Sequence, residues 1–289
     1  MGFSFILSSS LILHPSSLKM PYHSPQSSKN ESESNSQILV IAAIFLSAGI
    51  IAFLLFQLLV NTVITFIPPS LEQSLGAAVV PVYEKQAVDS PQQKTLNRLL
   101  DRLEANLPEK QQDSQYQVLY IPEDTVNAIA IPGNTVIIYK GLLKEVESEN
   151  ELMMVLGHEL GHFANRDHLR GLGNVLVLRV TLAYVLGDAS VFKSMVGGVV
   201  RAISDSHYSQ KQEKQADKFG LMLLDKTYGQ VAGSTDFFQK LAKKHGRNFD
   251  FLASHPAPAK RVEEINKLIK ENNYNIRSVR ALPDNLQID

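Results

Sequence analysis

The sequence contains no cysteine among its 289 residues. This absence excludes disulfide bonds, thiolate zinc sites and cysteine nucleophiles, so any metal site must be built from histidine and carboxylate side chains. The chain also lacks an excess of basic charge, because 28 basic and 29 acidic side chains give a formal net charge of -1. Without a basic surface there is no electrostatic reason to expect a nucleic-acid partner.

Charge is absent altogether from residues 38–67, which begin "ILVIAAIFLSAGIIAFLLFQLLV". This apolar run is longer than the ~20 residues that cross a hydrocarbon core, and it predicts one transmembrane helix in contact with lipid. The preceding residues are rich in Ser, Pro and Asn and show no apolar periodicity. We therefore expect residues 1–37 to form a disordered arm.

The few basic residues around this run predict its orientation. Lys19 and Lys29 precede it, and the first basic residue after it is Lys85. The positive-inside rule then places the N-terminus in the cytoplasm and residues 68–289 on the non-cytoplasmic side of a single-pass membrane protein.

The remaining chain has an α+β pattern. Leucines at helical spacing between residues 96 and 107 predict a helix that lies on a core. Three β-type runs follow, "YQVLYI", "VNAIAI" and "NTVIIY", and the "PGN" between the last two is a hairpin signal, so we predict a small antiparallel sheet. Helical patterns then occupy residues 148–168, two stretches within 171–203, 206–227, 234–245 and 257–272. The apolar 171–203 segment contains Arg179, Lys193 and a "GD" break, which favours a helical hairpin in the core or at the membrane surface over a transmembrane one.

The stretch "MMVLGHELGHFANRDH" contains an HExxH motif. His158 and His162 are four residues apart, so on a helix both imidazoles can reach one metal ion. Glu159 stands beside the first of them, where its carboxylate can act as general base and then as general acid. This spacing predicts a zinc-dependent hydrolytic site.

Two residues compete to be the third ligand. His168 completes a HExxHxxGxxH spacing of the metzincin type, although Asn165 replaces the glycine. Glu213 lies on a later predicted helix together with Asp217, which could orient a ligating imidazole from outside the ligand set. The spacing alone leaves both alternatives open.

Four blocks, in order, resemble the M48 family of zinc metallopeptidases: "NAIAIPGNTVIIYKGLL", "ELMMVLGHELGHFANRDH", "SQKQEKQAD" and "SHPAPAKRVEEI". The resemblance extends from about residue 116 to 268. It implies a mostly helical, zincin-like domain within residues 68–289, with one Zn²⁺ per chain held by His158, His162 and Glu213. It also implies that Glu159 is the catalytic base and that His168 is not a ligand.

Two positions need separate comment. The family usually has Arg after the Ser of the third block, and Gln210 occupies that place here. His255 precedes a proline and on its own reads as a turn residue, but the resemblance gives it a catalytic role. It would either donate a hydrogen bond to the oxyanion, which is the simpler arrangement, or act as a reversible fourth ligand.

The sequence therefore predicts a membrane-anchored zinc endopeptidase. Its substrate would be an extended polypeptide paired with the edge strand near residues 127–131. The resemblance implies that misfolded or unassembled proteins are the substrate class. One alternative is a membrane-tethered chaperone or binding module with a structural zinc site, and another is a metzincin-type protease that uses His168. No feature of the sequence predicts the oligomeric state.

Overall fold

A computed structural model describes residues 31–112, 114–243 and 250–288. In chain order these ranges form α1 (Glu31–Phe66), α2 (Pro69–Glu84), α3 (Pro91–Glu104), a 3₁₀ turn (Glu109–Gln111), β1 (Gln117–Ile121), β2 (Ala128–Ile131), β3 (Thr135–Tyr139), α4 (Lys140–Glu145), α5 (Glu149–Ala164), α6 (Asp167–Arg170), α7 (Asn174–Val185), α8 (Ala189–Ser194), α9 (Val196–Ser204), α10 (Gln210–Tyr228), α11 (Asp236–Lys243), α12 (Asp250–Ser254), α13 (Pro258–Glu271) and a second 3₁₀ turn (Asp284–Leu286).

Helix α1 contains the predicted span. Its stretch Ser36–Phe66 has a mean hydropathy of 3.0 and is long and apolar enough to cross a membrane. At about 1.5 Å per residue it is longer than the ~30 Å of a hydrocarbon core. The helix begins at Glu31, so the last residues of the predicted arm are helical. The rest of that arm, residues 1–30, lies outside the described residues.

The described chain divides into two units, one ending at Phe53 and the other covering Leu54–Asp289. Within the second unit, the last turns of α1 bury Val60 and Ile64 in an apolar cluster with residues of α2. Two prolines after α1 interrupt the helix, because neither has an N–H to donate to the preceding turn. Thus the end of α1 is part of the same core as the domain that follows it.

The leucine stripe of the sequence lies on α3, as predicted. Ser90 caps this helix by accepting a hydrogen bond from the backbone N–H of Gln93, and Pro91 occupies the first turn. Four leucines of α3 and Leu107 just beyond it are buried in the main core. The helix covers β1, whose residue Val118 donates its backbone N–H to the side chain of Asn97 on α3.

The sheet is small, as predicted, but it is mixed and not antiparallel throughout. Its strand order is β1-β3-β2, in which β2 pairs antiparallel with β3 while β1 pairs parallel with β3. The "PGN" turn produces the predicted hairpin. β3 then inserts between β1 and β2, and since it runs in the same direction as β1, their pairing is parallel. Strand β2 is left at an edge.

Helix α5 lies at the centre of the domain, and its residues from Glu149 to Phe163 are buried. Helix α10 packs against it at a separation that requires small residues. A Cβ added at Gly161 would lie 2.7 Å from the Cα of Ala216, and one added at Gly157 would lie 3.0 Å from the Cα of Gly220. This close contact brings the functional side chains of α5 and α10 together.

The segment 171–203 forms three short helices, α7, α8 and α9. The predicted break occurs at Gly187, which has φ 69°, and at Asp188, which caps α8. Val177 and Val180 face the core, whereas Val185 and other apolar side chains near the break are exposed. The apolar part of α7 is a shorter helix than a membrane span requires. Of the other predicted helices, the one over 234–245 forms α11, and its last two residues lie outside the described ones.

Candidate metal centre and active site

His158 and His162 project from one face of α5, as their spacing predicts. Their Nε2 atoms are 3.1 Å apart and their rings meet edge to face. Both side chains are fully buried. The helix period alone accounts for this pairing, since residues four apart lie one turn above each other.

Two other elements complete the group. Glu213, near the start of α10, places its carboxylate oxygens 3.7 Å from Nε2 of His158 and 3.4 Å from Nε2 of His162. His255, between α12 and α13, has its Nδ1 3.2 Å from Nε2 of His158 and 3.1 Å from Oε1 of Glu213. The potential ligand atoms of these four residues all lie within 4.8 Å of one another.

This donor set fits a zinc ion. With Zn–N and Zn–O bonds of 2.0–2.2 Å, neighbouring ligand atoms of a tetrahedron are separated by about 3.3–3.5 Å. The separations between His158, His162 and Glu213 are 3.1, 3.4 and 3.7 Å. Imidazole nitrogen and carboxylate oxygen are also ordinary zinc ligands. The residues present therefore match both the chemistry and the spacing of a zinc site.

The outer nitrogens of both histidines face carboxylates. Oδ1 of Asp217 lies 2.9 Å from Nδ1 of His158, and Oδ2 of Asp167 lies 3.1 Å from Nδ1 of His162. A proton on Nδ1 satisfies each contact and leaves the Nε2 lone pair free to bind metal. The contact of Asp217 with a histidine of the motif is the one expected from the sequence. Asp167 was missed by sequence reasoning. It lies five residues after His162, the last residue of the HExxH motif.

Arg261 fixes the two acidic residues of α10 relative to each other. Its Nε and Nη2 donate to the carboxylate of Asp217 at 2.9 and 2.6 Å, and its Nη1 lies 2.8 Å from Oε2 of Glu213. The guanidinium also lies over the ring of Phe238, 4.0 Å from its centroid. Sequence reasoning gave this arginine no functional role. Its position six residues after His255, in the last motif block, is the only signal that pointed to it.

The charged surroundings act differently on the two imidazoles. Burial, reinforced by the positive charge of Arg261, lowers the pKa of His158 to about 4. Burial also disfavours the charged form of His162, but hydrogen bonds with Asp167 and Glu213 outweigh it and raise the pKa of His162 to about 9. Electrostatic interactions with His255 and with the guanidinium of Arg261 likewise outweigh burial and lower the pKa of Glu213, so this carboxylate is ionised.

Glu159 is the exception to this network of paired groups. Its side chain is fully buried, yet neither carboxylate oxygen has a hydrogen-bond partner among the described residues. Among the described residues, Nε2 of His255 lies 3.7 Å from Oε1 of Glu159. Because a buried carboxylate without hydrogen bonds is costly, such a group calls for a functional explanation.

His168, the rival ligand, lies outside this group. It is not among the four residues whose potential ligand atoms converge, and its Nε2 lies 2.7 Å from Oε1 of Glu72 on α2. Burial would raise the pKa of Glu72, but the hydrogen bond and charge of His168 outweigh burial and lower it. Gln210, which stands where the family usually has Arg, is exposed and accepts a hydrogen bond from Lys260.

Tyr208 covers the centre from the segment between α9 and α10. Its ring stacks on His162 with centroids 3.9 Å apart and lies 5.1 Å from His255. Sequence reasoning missed this residue, which is an aromatic one position before the third motif block. With Tyr208 in place, the side chains of His158, Glu159, His162, Glu213 and His255 are at most 1% exposed. The centre is closed in this conformation.

Comparison with known proteins connects this geometry to a family. Residues 90–269, more than half of the chain, match the model described as Peptidase family M48. The metalloprotease LoiP of Escherichia coli is 34% identical over 159 residues, which are 53% of this chain and 62% of LoiP. The mitochondrial metalloendopeptidase OMA1 of Arabidopsis thaliana is 31% identical over 147 residues, 50% of this chain and 30% of the relative.

A putative beta-barrel assembly-enhancing protease of Vibrio cholerae is 26% identical over 187 residues, 58% of this chain and 38% of the relative. The chain thus spans less than two thirds of the length of each of these relatives. The residues that the family model matches, 90–269, contain the HExxH helix, α10 and His255.

Proposed function

This chain belongs to peptidase family M48 and carries its metallopeptidase domain, and from that premise we propose that it is a membrane-anchored, zinc-dependent endopeptidase. The observation that carries the proposal is the convergence of His158, His162 and Glu213 beside the unpaired carboxylate of Glu159. A metal site and a free catalytic carboxylate are the two parts that peptide hydrolysis by this mechanism requires.

One Zn²⁺ per chain would be held by His158, His162 and Glu213. When bound, it supplies Lewis-acid polarisation of the scissile carbonyl and activation of a water molecule. Asp217 and Asp167 orient the two imidazoles, and Arg261 holds Asp217 and Glu213 in register. The proposed ligands are therefore held by contacts from three helices, α6, α10 and α13.

Glu159 moves the protons. Its oxygens have no competing hydrogen bond from the described residues, so they are free to accept the proton of the attacking water. The same carboxyl group then donates that proton to the leaving amine. The 3.7 Å contact of its Oε1 with Nε2 of His255 places this carboxylate beside the proposed metal centre.

His255 has two proposed roles. Its Nδ1 lies among the ligand atoms of His158 and Glu213, and this position favours a fourth ligand in the closed form. Its Nε2 lies 3.7 Å from Glu159, the side on which substrate would react, and this position supports a donor to the oxyanion. Either role makes His255 a member of the active site.

The substrate would be polypeptide, and misfolded or unassembled proteins are the class we propose. Strand β2 is an edge strand beside α5, so the stretch Asn127–Ile131 offers a backbone edge on which an extended peptide can add as a further strand. This mode reads main-chain groups and tolerates many sequences. One relative is named as a beta-barrel assembly-enhancing protease and another as a mitochondrial metalloendopeptidase, and these names support a role in protein quality control.

Membrane anchoring would come from residues 38–67, of which 38–66 lie in α1. The hydropathy and exposure of this helix support a single span. The lysine distribution supports a cytoplasmic N-terminus with the peptidase domain, residues 68–289, on the other side.

A second candidate is a membrane-tethered chaperone or binding module with a structural zinc site. The closure of the centre favours it, since structural zinc sites are shielded and saturated with protein ligands. The unpaired Glu159 favours the enzyme, because a purely structural site has no use for a buried free carboxylate.

The deciding experiment measures zinc content and casein cleavage on the full chain purified in detergent. We expect about one zinc per chain and cleavage by the wild type. Glu159→Gln should keep its zinc while losing turnover by roughly a hundredfold or more. The matched control is Glu263→Gln, an exposed glutamate on α13, which should keep full activity. Undiminished cleavage by Glu159→Gln would refute the catalytic assignment, and zinc binding without any cleavage by the wild type would support the binding module.

A further inference from the structure

Arg166 has an unusual backbone for an arginine. It follows the C-cap of α5 and precedes α6 with φ 57° and ψ 30°, in the left-handed region. For a residue with a Cβ this conformation is sterically unfavourable, because the Cβ approaches the following carbonyl oxygen. Backbone strain that the surrounding structure maintains is a reason to look for a functional contact.

The side chain of Arg166 reaches the end of α1. Its Nη1 donates to the backbone oxygens of Ile64 and Ile67 at 2.9 and 2.7 Å. The carbonyl of Ile64 would normally accept from the residue four positions on, but that residue is Pro68, which has no N–H. The available backbone donor is the N–H of Ile67, at a long 3.4 Å.

Arg166 therefore supplies the donor that Pro68 cannot give to the carbonyl of Ile64, and a second donor to the carbonyl of Ile67 just beyond α1. A cation at this place also interacts favourably with the negative end of the helix dipole. The contact joins two parts of the chain about one hundred positions apart, and both belong to the unit Leu54–Asp289.

The next residue, Asp167, holds a proposed zinc ligand. Its Oδ2 lies 3.1 Å from Nδ1 of His162, and its Oδ1 accepts from Nε2 of Gln212 at 2.9 Å. Asp167 is 1% exposed. Because consecutive Cα atoms are separated by a fixed 3.8 Å or so, a shift of the Arg166 backbone displaces Asp167 and its contact with His162.

We propose that Arg166 is a positioning residue for the metal centre, which couples the end of α1 to the orientation of His162 through Asp167. The inference rests on the proposed zinc function. If the coupling holds, the end of α1 influences zinc affinity. Displacing that end would loosen the carboxylate of Asp167, which aligns His162.

The test is a double-mutant cycle on zinc affinity. The full chain in detergent is titrated against a chelator of known affinity, and zinc-free samples are melted in parallel to record folding. Arg166→Ala should weaken zinc binding about tenfold and Asp167→Ala by roughly tenfold to a hundredfold, which is the usual effect of losing a partner that orients a ligand. The double variant should bind zinc as Asp167→Ala does, because Arg166 acts only through Asp167.

The matched control is Arg201→Ala, which removes an exposed guanidinium on α9 and should leave zinc affinity unchanged. If the losses of zinc affinity multiply in the double variant, the proposal is wrong. It is also wrong if Arg166→Ala lowers the melting temperature without changing zinc affinity, which is the result expected for a purely structural arginine. If Arg166→Ala does not fold, the same cycle with Arg166→Lys and Asp167→Asn applies. A wild type that binds no zinc would refute the proposed function itself, whereas normal zinc affinity of the Arg166 variant refutes only the coupling.

Discussion

Replacing Gly161 by alanine tests whether the packing of α5 on α10 sets the metal site. An added Cβ would lie 2.7 Å from the Cα and 2.9 Å from the carbonyl oxygen of Ala216, and both atoms belong to backbone. Restoring an ordinary contact of about 3.4 Å requires the helices to part by about 0.7 Å. Functional constellations tolerate displacements of only about 0.5 Å.

Two effects on stability oppose each other in this variant. Alanine is favoured over glycine within a helix by about 1 kcal/mol. Overpacking costs typically 1–3 kcal/mol, and a clash with unyielding backbone belongs at the upper end. The net loss is then about 2 kcal/mol, which lowers the melting temperature of a domain of this size by roughly 4–8 °C.

The assay is thermal unfolding of the zinc-free full chain in detergent, followed by zinc titration of the folded protein. We expect Gly161→Ala to melt earlier and to bind zinc more weakly, because His162 and Glu213 lie on the two helices that move apart. The matched control is Gly198→Ala on α9, where an added Cβ meets nothing within 4 Å. There the helix preference acts alone and stability should not fall. A Gly161→Ala protein as stable as the wild type, with unchanged zinc affinity, would refute the reasoning.

Three further outcomes follow from the site and the anchor. Glu213→Gln should lose zinc and His168→Ala should keep it, since His168 contacts Glu72 and is not in the group of potential ligands found among the described residues. The opposite result in metal analysis would favour the metzincin alternative. His255→Ala should raise basal peptide cleavage if the imidazole is a fourth ligand, and should lower kcat by roughly tenfold to a thousandfold if the imidazole donates to the oxyanion. Steady-state kinetics with zinc occupancy measured in parallel distinguishes these roles. If neither the rate nor the zinc occupancy changes, His255 is a turn residue. A C-terminal tag on sealed vesicles should resist protease added from the cytoplasmic face, and digestion from that face alone would reverse the proposed topology.

Local patterns were sufficient for much of this protein. The pairing of His158 with His162 follows from the period of one helix, and a helix long and apolar enough to cross a membrane follows from thirty uncharged residues. The leucine stripe of α3, the hairpin at "PGN" and the break at Gly187 were equally local. Glu213 could not be chosen over His168 by spacing, and the family resemblance was needed for that choice.

Contacts between distant segments were decided only by the tertiary structure. The parallel pairing of β1 with β3, the contact of Asp167 with His162 and the bridging of Asp217 and Glu213 by Arg261 depend on how whole elements pack. Sequence periodicity says which face of a helix is apolar, but not which other helix covers it or at what distance. Here that distance depends on the absence of a Cβ at Gly161, and it determines whether the side chains of α5 and α10 can share one metal ion.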